Sequence, residues 1–203
     1  RWRTTPPWER VEGIPRPHAG TDAQHEQGTY GFNGESNDAH DLLDYEAGSW
    51  VCSVVRVHDD GRVAIADQHR QAERTIDIGR QAIGADAFYV GCKRGTAEFL
   101  DGDIAEILVY DRPLSDDESQ AVLARLLAKW GVGGAHSSAA DTIPRGGLIL
   151  RLDAADAQCD DQGRVAVWPD RSGRGHALQQ ALAASMPTPV DQTLRPLPAI
   201  HLR

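Results

Sequence analysis

Cysteine is scarce: Cys52, Cys92 and Cys159 are the three in the chain, an odd number with no C-x-x-C pair. That excludes a zinc ribbon and a dithiol redox motif, and it allows at most one internal disulfide. Cys52 and Cys92 lie in strand-like runs and read as small buried hydrophobes. Positive charge is also short: 21 Lys and Arg stand against 30 Asp and Glu, a formal charge of −9. Phosphate backbones and anionic lipid surfaces are therefore poor partners. No apolar run approaches the ~20 residues that span a bilayer. H-E-x-x-H, P-loop, G-x-S-x-G and G-x-G-x-x-G motifs are absent. The eight histidines are scattered, and none has a second ligand at i+4 on a helix. The single methionine is Met186 and the first residue is Arg1. With residues 199–203 reading as a strand still in progress, the sequence reads as a segment cut from a longer chain, its address signal outside.

What is present is an ordinary globular balance, 40% hydrophobic and 25% charged over 203 residues. That length accommodates one large domain, or one and a half small ones. Residues 1–27 are rich in Pro, Arg, Glu and His and read as an irregular lead-in. From Gly28 onward short strand-like runs alternate with Gly- and Asp-rich turns. They are 29–32, 50–57, 63–66, 74–79, 87–92 and 103–110. The run 50–57 is apolar on both faces, which predicts a central strand covered on both sides. Asp59-Asp60-Gly61 predicts a hairpin turn between it and 63–66. This pattern points to an all-β sandwich.

One helix stands out. Ser115-Asp116-Asp117-Glu118 is a capping box, with acids in the first turn and Arg125 and Lys129 toward the other end. Val122, Leu123, Leu126, Leu127 and Trp130 share one face, and Gly131 is a natural stop. The spacing predicts a helix over 115–130 with Leu123, Leu126 and Leu127 largely buried. A linker of small and polar residues follows at 132–146. Strand-like runs resume at 147–154 and 163–168, then comes the tight loop 169–175. Residues 181–198 read as loop.

Two stretches carry a resemblance. Residues 99–115 (FLDGDIAEILVYDRPLS), with the helix ending in Lys129-Trp130-Gly131, resemble the C-terminal end of bacterial laminin-G-like domains, which are concanavalin A-like jelly rolls. Residues 147–154 (GLILRLDA), then 167–175 (VWPDRSGRG), then Arg195-Pro196 and Pro198-Ala199-Ile200, resemble the start of the same kind of domain. The middle, Tyr30 to Asn33, is a fainter match. The order is inverted. Residues 28–131 are the C-terminal part of one domain and 147–203 the N-terminal part of a second, as in a tandem array. The resemblance implies a jelly-roll fold and an extracellular or cell-surface bacterial protein. The role implied is a non-catalytic binding or adhesion module for a glycan or an extracellular protein, beside neighbouring repeats. No nucleic acid and no membrane insertion in this segment are expected. The alternatives are a structural spacer repeat and a glycoside hydrolase on the same jelly roll.

Specific residues follow from these readings. Asp101, Asp103 and Glu106 form D-x-D-x-x-E, against the E-x-D-x-x-E of family 16 glycoside hydrolases, which need two carboxylates about 5 to 5.5 Å apart. Here the first acid is a methylene too short. The alternative is a turn at Gly102-Asp103, with Glu106 facing solvent or a backbone amide. Catalytic residues are accordingly none, and no cofactor is required. Calcium is the one ion considered, at Asp153, Asp156 and Asp170, because many laminin-G-like domains carry a rim calcium site. The competing reading is that these aspartates build turns, with Asp170 and Ser172 hydrogen-bonded inside their own loop. Aromatics are only 6%. Tyr30, Phe32, Tyr45 and Tyr89 are the candidates for stacking on a sugar ring.

In such jelly rolls the first and last strands lie side by side. A head joined behind a tail can therefore fold back as a circularly permuted composite. This predicts antiparallel pairing of 148–152 with 104–110, with 28–131 and 147–203 in one sandwich.

Overall fold

A computed structural model describes residues 27–33, 38–46, 48–75, 90–91, 100–132, 143–180, 183–191 and 198–202. The lead-in before residue 27, the strand-like run past Thr75, most of 87–92 and the middle of the linker lie outside these residues. The strands in chain order are β1 (Gln27–Asn33), β2 (Asp38–Glu46), β3 (Ser53–Val57), β4 (Arg62–Asp67), β5 (Gln71–Thr75), β6 (Gly102–Ile104) and β7 (Glu106–Tyr110). Helix α1 (Asp116–Trp130) follows. Then come β8 (Leu148–Asp153), β9 (Gln158–Cys159), β10 (Val165–Trp168), β11 (Leu178–Gln179), β12 (Thr188–Asp191) and β13 (Pro198–Leu202). Every named pairing is antiparallel, and among the described residues the fold class is all-β with one α-helix.

The chain divides into two compact units that interleave along the sequence. The helical unit holds the described residues of 27–75 and 112–144, and the strand unit those of 90–111 and 145–202. The fold-back is therefore narrower than a single sandwich of 28–131 with 147–203. Only the stretch ending at Asp111 joins the 145–202 segment in one unit.

In the helical unit β1 pairs with β2, and β3, β4 and β5 form a sheet in that order. The turn at Asp59-Asp60-Gly61 forms as expected: Gly61 has φ 86° and its N–H donates to the His58 carbonyl at 2.9 Å. A side chain at that φ would strain the backbone, which is why glycine stands there. The expectation of a central β3 is corrected. Among the described strands β3 lies at the sheet edge with all five residues half-buried, and β4 is central, with Val63, Ala64 and Ile65 buried in succession. Three consecutive buried residues mean that both faces of β4 are covered. Leu43, Val63 and Ile65 form the core, flanked by Val51, Val55, Val57 and Ala72. Cys52 is buried, as expected.

Helix α1 forms with both halves of its capping box. Glu118 N–H donates to Ser115 Oγ at 3.2 Å, and Ser115 N–H donates to Glu118 Oε2 at 2.9 Å. Gly131 ends the helix in the left-handed region at φ 68°. The buried stripe is shifted from the expected one. Ser119, Val122, Arg125 and Trp130 are buried, while Leu123, Leu126 and Leu127 are half-buried. The aliphatic stem of an arginine can occupy a buried position that the apolar pattern assigns to leucine.

In the strand unit β7 pairs with β8, as the fold-back predicts. Ile107 faces Leu152, Leu108 faces Arg151 and Val109 faces Leu150. The pairing begins at Glu106↔Asp153 rather than at Ile104. The run expected as one strand over 103–110 breaks at the buried Ala105, whose carbonyl accepts the Ala154 N–H at 2.9 Å. Before the break, β6 pairs with β13 (Ile104↔Ile200) in the sheet β12–β13–β6. A residue as small as alanine lets one chain pass between two sheets there. The loop expected over 181–198 contains strand β12 and a 3-10 turn, Ala183–Ser185. β2 matches none of the strand-like runs of the sequence. Strands β9, β10 and β11 make a further small sheet. The core gathers Val90, Leu150, Leu152, Ala154, Val165, Trp168, Leu178, Ile200 and Leu202. Trp168 is 1% exposed, so it lies in the core rather than at its edge. Its Nε1–H donates to the Asp153 carbonyl at 2.7 Å, which meets the polar demand of the buried indole.

Candidate functional site

The tight loop after β10 is organised by one carboxylate. Asp170 Oδ1 accepts the Arg151 N–H at 2.9 Å and the Ser172 N–H at 2.8 Å. Oδ2 accepts the Ser172 hydroxyl at 2.7 Å and the His176 N–H at 3.1 Å. Ser172 Oγ in turn accepts the Arg174 N–H at 3.1 Å. The Arg171 N–H donates to the Arg151 carbonyl at 2.7 Å, so the loop continues the β8 edge through a bridge between Leu152 and Asp170. Burial raises the Asp170 carboxyl pKa. The Arg151 amide, the Ser172 hydroxyl and the Ser172 and His176 amides outweigh it and hold the group below its ordinary value. This is the loop-internal role expected for Asp170 and Ser172.

Asp153 and Asp156, the other aspartates considered for calcium, each have their own protein partners. Asp153 is nearly buried, and its Oδ1 accepts the Ala155 N–H at 3.2 Å, capping the 3-10 turn Ala154–Asp156. Asp156 pairs with the Arg171 guanidinium, Nε to Oδ2 at 2.7 Å and Nη2 to Oδ1. Asp160 accepts the Arg164 and Gln162 amides at 2.9 Å each. The Arg164 amide and side chain hold its carboxyl below the usual range. Asp161 is exposed. Among the described residues, no three His, Cys, Asp or Glu side chains gather so as to hold a metal ion.

The D-x-D-x-x-E acids separate at the Ala105 break. Gly102-Asp103 is strand, not turn. Asp103 faces His201 across β6 and β13, with His201 Nδ1 2.7 Å from Asp103 Oδ1. Asp101 lies outside the strand with its side chain 89% exposed, and its Oδ1 is 3.7 Å from His201 Nε2. Glu106 begins β7, and its side chain is fully buried 3.4 Å from Arg151 Nε. Its burial corrects the expectation that it faces solvent. Glu106 and Asp103 therefore face different partners in different sheets. His201 and Arg151 are the residues that sequence reading missed. His201 is 98 positions from Asp103, and only strand register brings the two together.

The aromatic candidates fall on one hairpin or outside the described residues. Tyr30 and Phe32 sit on β1 and Tyr45 on β2, where Gly28 pairs with Tyr45 and Tyr30 with Leu43. The register shifts between Tyr30 and Phe32. Tyr89 lies outside the described residues.

Among the described residues no helix is long and apolar enough to cross a membrane. Comparison with family models, with curated proteins and with solved structures found no match.

Proposed function

We propose that the chain is a non-catalytic binding or adhesion module of the laminin-G-like kind, taking a glycan or an extracellular protein as its partner. The supporting observation is the β7–β8 ladder. The stretch that resembles the tail of such a domain and the stretch that resembles its head sit in one antiparallel pair, Ile107 on Leu152 and Val109 on Leu150. The jelly-roll assignment and a surface location rest on the same resemblance.

A non-catalytic role is favoured over hydrolysis by the partners of the two acids. Asp103 is engaged by His201 and Glu106 by Arg151, on strands that pair in different sheets. A retaining pair must instead present two carboxylates to one sugar, about 5 to 5.5 Å apart.

Glycan-array and extracellular-matrix panels with the intact chain test the proposal. Saturable binding to one glycan or protein class, weakened by Tyr30→Ala or Tyr45→Ala, supports it. Turnover of a β-glucan that disappears in Glu106→Gln would replace it with the hydrolase. Silence on both panels would leave the spacer repeat as the reading.

A further inference from the structure

The sequence contains two Asp-Gly pairs, Asp60-Gly61 and Asp101-Gly102. Among aspartates, one before glycine is the most open to succinimide formation, because glycine places no Cβ in the path of its own nitrogen. The fold treats the two pairs differently. At Asp60-Gly61 the side chain is held in a closed turn: Asp60 Oδ1 accepts the Arg62 N–H at 3.0 Å. The Gly61 N–H is also engaged, on the His58 carbonyl at 2.9 Å. At Asp101-Gly102 the carboxylate stands 89% exposed beside His201, whose Nε2 lies 3.7 Å from Oδ1. The other ring nitrogen, Nδ1, is 2.7 Å from Asp103 Oδ1. That contact places the Nδ1–H on Asp103 and leaves Nε2, which carries a proton in the imidazolium form, 3.7 Å from Asp101 Oδ1.

We propose that Asp101-Gly102 is a site of spontaneous succinimide and isoaspartate formation, with His201 as the proton donor. The Gly102 nitrogen attacks Asp101 Cγ, and the C–N bond forms as a C–O bond breaks. The departing oxygen takes one proton from His201 Nε2 and one from the Gly102 nitrogen and leaves as water. His201 is left as neutral imidazole. A second water opens the five-membered ring at either carbonyl, restoring a carboxylate and returning a proton to solution. Opening at the side-chain carbonyl breaks the new Cγ–N bond and gives the aspartate that was there. Opening at the backbone carbonyl breaks the original peptide bond, leaves the Gly102 nitrogen on Cγ and gives isoaspartate, with an extra methylene in the main chain. That methylene enters one residue before β6, an edge strand whose register is Gly102↔Leu202 and Asp103↔His201. The modification therefore loosens the edge of the β12–β13–β6 sheet.

The test is incubation of the intact chain at neutral pH, with isoaspartate quantified at each Asp-Gly pair by peptide mass spectrometry. The succinimide is read as the species one water lighter. Conversion at Asp101 should run several-fold faster than at Asp60 in the folded protein, and the two rates should converge in urea. This comparison needs no variant. Gly102→Ala should remove most of the conversion. A Cβ there meets only Leu100 Cδ1 at an ordinary 3.5 Å, so that variant retains its fold. His201→Gln, once circular dichroism shows it folded, should reduce the Asp101 rate to its urea value and leave Asp60 unchanged. Conversion at Asp101 no faster than at Asp60 in the folded chain would overturn the site. An unaltered rate in folded His201→Gln would overturn the proton donor.

Discussion

Asp170 accepts the main-chain N–H of Arg151 at 2.9 Å, joining the loop after β10 to the middle of β8. The same strand pairs on its other side with β7, so one short segment carries both the fold-back ladder and the loop. The carboxylate receives four donors in all, three of them main-chain amides. Removing it leaves half-buried donors without acceptors, the costly side of the hydrogen-bond balance.

Asp170→Ala should therefore destabilise the chain by about 2–3 kcal/mol, within the range for breaking a partly buried polar network. Asp170→Asn should recover only part of this, since its amide NH2 would point donors at donors. Urea denaturation checks both. A loss below that of an ordinary surface substitution would mean that the loop holds itself without Asp170.

Acid should weaken the fold through the same kind of group. The Arg112 guanidinium and the Ser115 amide lower Glu118 to about 2, and the hydrogen bonds to Asp170 lower that group as well, against its burial. Unfolded carboxyls titrate near 4. Below that pH the unfolded chain takes up protons that the folded chain does not. The contribution is thus complete above about pH 5 and is lost as pH falls toward the folded values. Urea midpoints measured from pH 6 down to 2.5 should decline below about 4.5. In Glu118→Gln the decline should be shallower. An unchanged slope in that variant would show that its ion pair with Arg112 does not persist in solution.

Ser115→Ala should cost about 1 kcal/mol through loss of the helix cap. Ser115→Asp should retain most of the stability, because its carboxylate can accept the same Glu118 amide. Thermal melts of the two variants side by side distinguish capping from a general effect of the position.

Gly91 offers a contrast with Gly102. Its φ is +72°, and a Cβ built there would lie 2.5 Å from Leu202 Cδ1. Gly91→Ala should destabilise by more than ~1 kcal/mol, from left-handed strain and from the shift forced on a core leucine. Combining it with Leu202→Ala should cost less than the sum of the single changes, since the truncated side chain frees the space. Additive losses would place the whole cost in the backbone.

Calcium addition and EDTA should both leave the melting temperature unchanged. The oxygens of Asp170 are taken by four N–H and O–H donors, and those of Asp156 by Arg171. A calcium-dependent rise of several degrees would require these groups to exchange donors for the ion, and would restore the rim site.

What could be read from local pattern was what local chemistry controls. The all-β class, the hairpin at Asp59-Asp60-Gly61 and the α1 boundaries at Ser115 and Gly131 depend on residues within four or five positions of one another. So does the carboxylate turn at Asp170, apart from its bond to Arg151. The β7–β8 pairing was legible for a different reason: two apolar runs with related ends each lacked a partner. Tertiary structure alone decided the rest. Val122 and Trp130 of the expected stripe are buried, but Leu123, Leu126 and Leu127 are only half-buried and Ser119 and Arg125 go in beside them, because periodicity defines a stripe but not the rotation at which it packs. β3 became an edge strand, since which neighbour a strand finds is not written in its own residues. The break at Ala105 sent Asp103 to His201 and Glu106 to Arg151, although only two residues lie between the two acids in sequence. Strand register between segments far apart in sequence sets those contacts, and no local spacing encodes it.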